Sequence, residues 1–429
     1  MNTQERAILS STGYGHFLSH CNMLVFPALA LPLSQHFGLD LAVTLDLGFW
    51  MYLLFGITAL PWGILADKFG PRPLLALFYL GGGCSGLAAA AFADNPSAFQ
   101  LALVGIGLFS GIYHPAGLGW IATDIPRRTA AAMAINGIFG SLGLAMGPLL
   151  AGLINWLFGI QAVYLCLGLM NIAGIFFLLL TQKADAGAQQ TGVQQKTSPS
   201  PREQVGEQVG EQVGEQEREK EKFSAWKGFL VLLVCMMLGG VIYRGATVTL
   251  PALFERNLPT VVTAVNNLFQ GSTISGNVVA TMTISILYLV GMYGQYMGGR
   301  FGERFDLRYG YLGFHLVTIP FAFLLGTATN MPLILLAALH SFFLLGMQPL
   351  ENTLVARLTP AWMRSSAYGM KFILTFGVGA LSIKLIKVVE QGWGLSFVFP
   401  ILGTISILLV LMIGVLILST RHISSTVQQ

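Results

Sequence analysis

A short polar loop occurs twice in this chain. Gly63, Asp67, Lys68, Phe69 and Arg72 return 236 positions later as Gly299, Glu303, Arg304, Phe305 and Arg308. Each copy lies between two long apolar stretches. An acid, two bases and a glycine joining two apolar helices, present at matched places in both halves, point to an internally duplicated membrane protein. The same offset sets Arg128 on Arg364 and Gly143 on Gly379. A shift of 224 pairs Pro27-Ala28-Leu29 with Pro251-Ala252-Leu253. Repeats in the same orientation are the arrangement of an alternating-access carrier.

Composition agrees. Of 429 residues, 54% are hydrophobic and 10% charged, with a mean hydropathy of +0.68. A soluble domain carries about 25% charged residues. Stretches long enough to cross a bilayer, about 20 residues each, fall near 9–35, 46–66, 74–93, 97–122, 130–156, 160–181, 225–254, 273–298, 309–327, 331–358, 366–389 and 393–420. These are spans 1 to 12, an all-α membrane fold. The first span is too long for a cleaved leader and is expected to stay as an anchor. Cys21, Cys84, Cys166 and Cys235 fall inside spans with no metal spacing and read as reduced packing residues.

With the N-terminus placed inside, the inner loops and tails hold 18 of the 23 Lys and Arg, and the outer loops only Arg256 and Lys387. This positive-inside pattern puts both termini in the cytoplasm of a multi-pass inner-membrane protein. Residues 182–223 are polar, repeat EQVG three times over 203–214 and continue as EQEREKEK. They read as a disordered or partly helical linker between an N-terminal six-helix bundle (1–181) and a C-terminal one (224–429).

The run Gly63-Ile-Leu-Ala-Asp67-Lys68-Phe-Gly70-Pro-Arg72 resembles the loop 2–3 signature of the major facilitator superfamily. Twelve spans and a degenerate copy at loop 8–9 extend the resemblance over nearly the whole chain. Tyr113-His114-Pro115-Ala116-Gly117 and Gln348-Pro349-Leu350-Glu351-Asn352 look like the fosmidomycin-resistance-type branch. Such a loop can latch the cytoplasmic side. Asp67 can meet a helix N-terminus, while Lys68 and Arg72 pair with acids or lipid phosphates; Glu303, Arg304 and Arg308 form the second latch. A loop that only sets topology would need the bases but not the acid and glycines.

Charges at bilayer depth are costly and usually functional. Glu351 is the one acid well inside a span, and is the candidate proton site, with Lys371 the better ion-pair partner and Arg357 the poorer. His20 and Arg244 occupy equivalent places under the 224 shift, and His16 lies one turn before His20. In the family, spans 1, 4, 7 and 10 line the central cavity. The resemblance therefore nominates His20, Tyr113, His114, Arg244, Gln348 and Asn352 for substrate binding, and Lys371, a buried base of span 11, is a further candidate. Hydrogen bonding to a neighbouring helix is the plainer reading of each histidine. Lys384 reads as snorkelling outward. In span 5, Gly143, Gly147, Pro148, Ala151 and Gly152 resemble the glycine-proline motif of superfamily antiporters, or alternatively generic small-residue packing.

The expected function is a secondary transporter of a small, anionic organic solute by alternating access, coupled to protons as an efflux antiporter. It should act as a monomer in the bilayer, without nucleic acid, metal or cofactor. There is no Walker loop and no enzymatic constellation. A proton-symporting importer of a carboxylate or metal chelate is the first alternative. A carrier-derived sensor or scaffold acting through the linker is the second.

Overall fold

The computed structural model describes residues 1–190, 214–269, 273–359 and 364–421, and among these every regular element is a helix. The EQVG repeats, up to residue 213, lie outside the described residues. Twelve helical segments match the twelve apolar stretches. Thr3–Ala28 and Ala30–Phe37 form span 1, bent by 51°. Leu41–Ile57 and Ala59–Phe69 form span 2, bent by 44°. Pro71–Ala91 is span 3, and Pro96–Ser110 with Tyr113–Asp124 make span 4. The helix Thr129–Gln190 is too long for one crossing; Gly159, at φ +82°, breaks it into spans 5 and 6. Spans 7, 8 and 9 are Gly214–Asn257, Gly276–Gly302 and Leu307–Leu325. Asn330–Gly346 and Gln348–Leu358 make span 10. Span 11 runs from Arg364 to Trp393, and span 12 is Val398–Ser419. The backbone is helical at 182–190 and 214–223, the two flanks of the linker.

Both halves place the same close contacts at matched positions. A side chain at Gly143 would meet the Phe17 carbonyl at 2.3 Å, so span 5 lies hard against span 1. At Gly379 it would meet the Gly240 carbonyl at 2.9 Å, so span 11 lies against span 7. Gly63 faces Pro115 and Gly299 faces Pro349, at 3.3 and 3.9 Å. Proline lacks the N–H that would bond the carbonyl four residues back. Spans 4 and 10 are accordingly interrupted at Gly111–Ile112 and at Met347, just before these prolines. Small residues thus let backbones approach where no hydrophobic drive exists between helices in lipid.

The two halves meet most tightly toward the end away from the chain termini. Gly56 and Gly377 bring spans 2 and 11 together so closely that a Cβ on Gly56 would lie 2.0 Å from the Gly377 nitrogen. Farther out, Asp46 accepts from Lys384 at 2.5 Å and from Lys387 at 2.8 Å. The Lys384 ammonium also sits over the Phe49 ring. Lys384 does not snorkel into solvent alone; it is held by Asp46, an acid the sequence reading left among the span ends. Gly152 abuts Thr281, joining spans 5 and 8 across the halves, and Asn277 Nδ2 donates to the Ala28 carbonyl (2.9 Å). An unexpected short helix, Pro259–Leu268, lies in the connection between spans 7 and 8, where Thr260 N donates to Asn330 Oδ1.

The two loop copies differ. Gly70 sits at φ +86° and ψ 159°, a conformation that L side chains rarely adopt. Its counterpart Asp306 has an ordinary φ of −59° and N-caps span 9 by accepting from Arg308 N at 2.8 Å. The Arg308 guanidinium pairs with Asp306 and also donates to the Thr420 carbonyl, tying loop 8–9 to the end of span 12. Glu303 lies 3.7 Å from Arg300, and Arg304 is exposed. In the first copy Arg72 lies over the Trp120 ring and Lys68 over Phe69. Asp67 is exposed and has no ion pair or hydrogen bond among the described residues.

Candidate functional site

A cavity of about 340 Å³ lies between the halves, lined by residues of spans 1, 4, 5, 7, 8, 10 and 11. Its two walls carry different chemistry. The C-terminal wall holds a buried ion pair. Lys371 Nζ lies 2.7 Å from Glu351 Oε1 and donates to Asn352 Oδ1 at 2.5 Å. The second carboxylate oxygen, Oε2, accepts from Tyr311 OH at 2.8 Å. Both carboxylate oxygens are thus satisfied, as a charge taken out of water requires. Span 11 carries a π-helical stretch, Ile373–Gly377, directly after Lys371 and Phe372. Such bulges occur often at functional sites, and this one sets Lys371, Phe372, Thr375 and Phe376 along the cavity. Gln348 also lines the wall and accepts from Gln295 Nε2 at 2.7 Å.

The N-terminal wall holds three imidazoles, His16, His20 and His114. The His16 Nδ1–H donates to Asn136 Oδ1 and to the Asn136 carbonyl, at 2.8 and 2.9 Å. Both partners only accept there, so the proton sits on Nδ1 and the Nε2 lone pair points at His20 Nε2, 3.3 Å away. Asn136 in turn donates to Tyr113 OH, which donates to the Thr12 carbonyl. His114 packs edge-on against His16 and His20 and beside Phe372 of the other half.

Of the residues nominated from sequence, His20, His114, Gln348, Glu351, Asn352 and Lys371 share this cavity. Two nominated residues stand behind its wall. Tyr113 is fully buried and acts through Asn136 on His16. Arg244 is 3% exposed, with its guanidinium 4.1 Å from the centre of the Tyr52 ring and its Nε without a hydrogen-bond partner. Among the described residues no carboxylate pairs with it. Its neighbour Tyr243 lines the cavity. His315 and His340 are buried in the C-terminal half, away from the cavity lining, and no ring nitrogen of either has a partner. The sequence reading missed Asn136, Gln295 and Tyr311. Each is a polar residue inside an apolar span, and that was the available signal.

The sequence pattern of the Major Facilitator Superfamily matches residues 14–382. The chain belongs to the Major Facilitator Superfamily. It is a multi-pass membrane transporter and not an enzyme. Curated relatives match over part of their length. An uncharacterised MFS-type transporter of Mycobacterium tuberculosis is 28% identical over 147 residues, 33% of this chain and 31% of that protein. The multi-drug resistance efflux pump PmrA of Streptococcus pneumoniae is 28% identical over 171 residues, 36% of this chain and 40% of the pump. The chain therefore aligns with well under half the length of these relatives. Two solved structures share the fold across nearly all of both chains. A POT family transporter in complex with 5-aminolevulinic acid has a TM-score of 0.73 at 14% identity, covering 97% of this chain and 96% of that one. A bacterial homologue of the human lysosomal transporter Spinster has a TM-score of 0.66 at 16% identity, covering 98% of each.

Proposed function

We propose that this transporter moves a small organic anion together with a proton, with Glu351 as the proton carrier and Lys371 as the anion-binding cation. The observation that carries the reading is the buried 2.7 Å Glu351–Lys371 pair in the wall of the central cavity. Protonation of Glu351 removes the charge that holds Lys371, whose ammonium then meets a substrate carboxylate or phosphate. Loss of the proton restores the internal pair and expels the anion. Proton and anion are thus bound together and released together, which is the coupling of a symporter.

With both termini in the cytoplasm of the inner membrane, as the distribution of bases favours, the seal at Asp46, Gly56 and Gly377 is the outer gate. Asp67, exposed and without an ion pair among the described residues, is then taken as the inner latch. The span-5 glycine-proline motif and the partial likeness to an efflux pump favour a second reading, exchange of the anion against protons. The Tyr113–Gly117 and Gln348–Asn352 motifs support a place near the fosmidomycin-resistance-type branch. The two bundles, 1–181 and 224–429, are taken to rock as units about the 182–223 linker, in a protein that works as a monomer.

The test is a thermal-shift screen of organic anions on purified protein. A stabilising anion should lose its effect in Lys371→Ala and weaken in Arg244→Ala. Uptake of that anion into right-side-out vesicles driven by an inward proton gradient supports symport, and proton-driven uptake into inside-out vesicles with an acid lumen refutes it. An anion that stabilises Lys371→Ala as well as the native protein would refute the site.

A further inference from the structure

The three histidines of the N-terminal wall do more than Lys371 needs. The Nδ1 or Nε2 atoms available on His16, His20 and His114 all lie within 4.8 Å of one another. His16 and His20 are one helical turn apart on span 1, so they share a face, and span 4 brings His114 to them. The 3.3 Å separation of the two Nε2 atoms equals the edge of a tetrahedron whose centre lies about 2.0–2.1 Å from each nitrogen, the usual length of a zinc–imidazole bond.

The surroundings are those of a ligand site. The Nδ1–H of His16 is occupied by two acceptors on Asn136, and Tyr113 holds Asn136. This is the outer-shell support that fixes the tautomer and ring plane of metal-binding histidines. Space for the ring is provided by Gly140, where a Cβ would lie 2.5 Å from the His16 Nε2. All three rings face the cavity, so a fourth position is left for a ligand arriving from it.

We propose that His16, His20 and His114 form a binding site for a divalent transition-metal ion, open to the cavity at its fourth position. Three neutral imidazoles supply no negative charge, and the charge of Arg244 acts on His20. The fourth donor should therefore be anionic, such as a carboxylate, so that metal and anion enter together. The cargo class this predicts is a small organic anion carried as its metal complex. That deepens the anion reading above, yet the site itself rests on histidines that reading does not use.

The experiment is titration of the detergent-purified full chain with Zn2+ by calorimetry, repeated with Co2+ followed by its visible absorption. The expected result is one ion per chain, with Co2+ bands that shift when acetate fills the fourth position. His20→Gln and His114→Gln should each weaken binding at least tenfold. Asn136→Ala should weaken it about tenfold or more through loss of the outer-shell bond. His36→Ala, at the outer end, should bind as the native chain does. Glu351→Gln should also keep its metal, so a failure of proton coupling is separable from a failure of this site. Each variant is first checked by gel filtration and by its metal-free melting temperature, and either histidine variant that passes suffices. No saturable binding to the native chain, or unchanged binding in a folded His20→Gln or His114→Gln, would overturn the proposal.

Discussion

In the N-terminal wall of the cavity three imidazoles are held by amide and phenol groups; in the C-terminal wall a carboxylate and an ammonium hold each other. The walls descend from one repeated pattern, since Gly63 faces Pro115 as Gly299 faces Pro349. The backbone solution has been kept while the side chains have parted. The loops show the same division. The second copy is closed on itself through Asp306, Arg308 and Thr420, whereas Asp67 in the first is exposed and has no ion pair among the described residues. What the repeat preserves is the packing that lets two bundles move. The chemistry lies where the halves differ.

The largest effect expected from breaking this contrast is on the C-terminal wall. Lys371→Met leaves Glu351 buried without its partner, and loss of one member of a buried pair costs about 3–5 kcal/mol. Chemical denaturation should show most of that loss, and adding Glu351→Gln should recover it. A double variant no more stable than Lys371→Met would mean that the pair is not the stabilising unit. The corresponding change in the N-terminal wall, His20→Gln, should cost far less, because no charge is stranded.

The gates come next and should respond in opposite directions. Asp46→Asn removes the acceptor of Lys384 and Lys387, so labelling from the far side of a cysteine introduced at Ser141 of the cavity should rise a few-fold. Asp67→Asn removes the acid of the proposed inner latch. It should slow turnover a few-fold without loss of folded protein, because the acid acts only when the inner side closes. Equal labelling in Asp46→Asn and native protein, or an unchanged rate in Asp67→Asn, would remove the assignment of that gate.

The smallest effect belongs to the closed loop. Burial alone would raise the Asp306 carboxyl, but the hydrogen bonds and charge of Arg308 outweigh it and hold it below the usual carboxylate range. A carboxyl depressed in the folded state adds stability above its unfolded pKa and loses it as the pH falls through the folded value. Asp306→Asn keeps the N-cap and removes only the charge. It should lower the melting temperature by about 1–2 °C at neutral pH, a difference that disappears in acid.

The sequence made the helices legible because bilayer thickness leaves a long apolar run in each span, and it made the repeat legible because packing glycines and prolines cannot drift. It also brought out Glu351 and Lys371, since charge inside an apolar run is conspicuous. Uncharged partners were harder to find. Asn136, Gln295 and Tyr311 are polar residues in apolar spans, but so are many uncharged residues of this chain, and their roles depend on which helices become neighbours. Arg244 and Tyr113 were placed in the right helices but one layer too far forward. A helical position gives the residue's height and face, whereas its distance from the cavity is set by the rings packed in front of it. Here Tyr243 and Phe376 line the cavity, and the Arg244 guanidinium lies 5.8 Å from the centre of the Phe376 ring.

The central claim is that Glu351 carries the proton. Proteoliposomes loaded with a stabilising anion from the thermal-shift screen, placed under a pH gradient, test it directly. Native protein should move the anion against its concentration gradient. Glu351→Gln should lose this gradient-driven accumulation while still exchanging anion for anion. Concentrative, pH-driven transport by Glu351→Gln at the native rate would contradict the account.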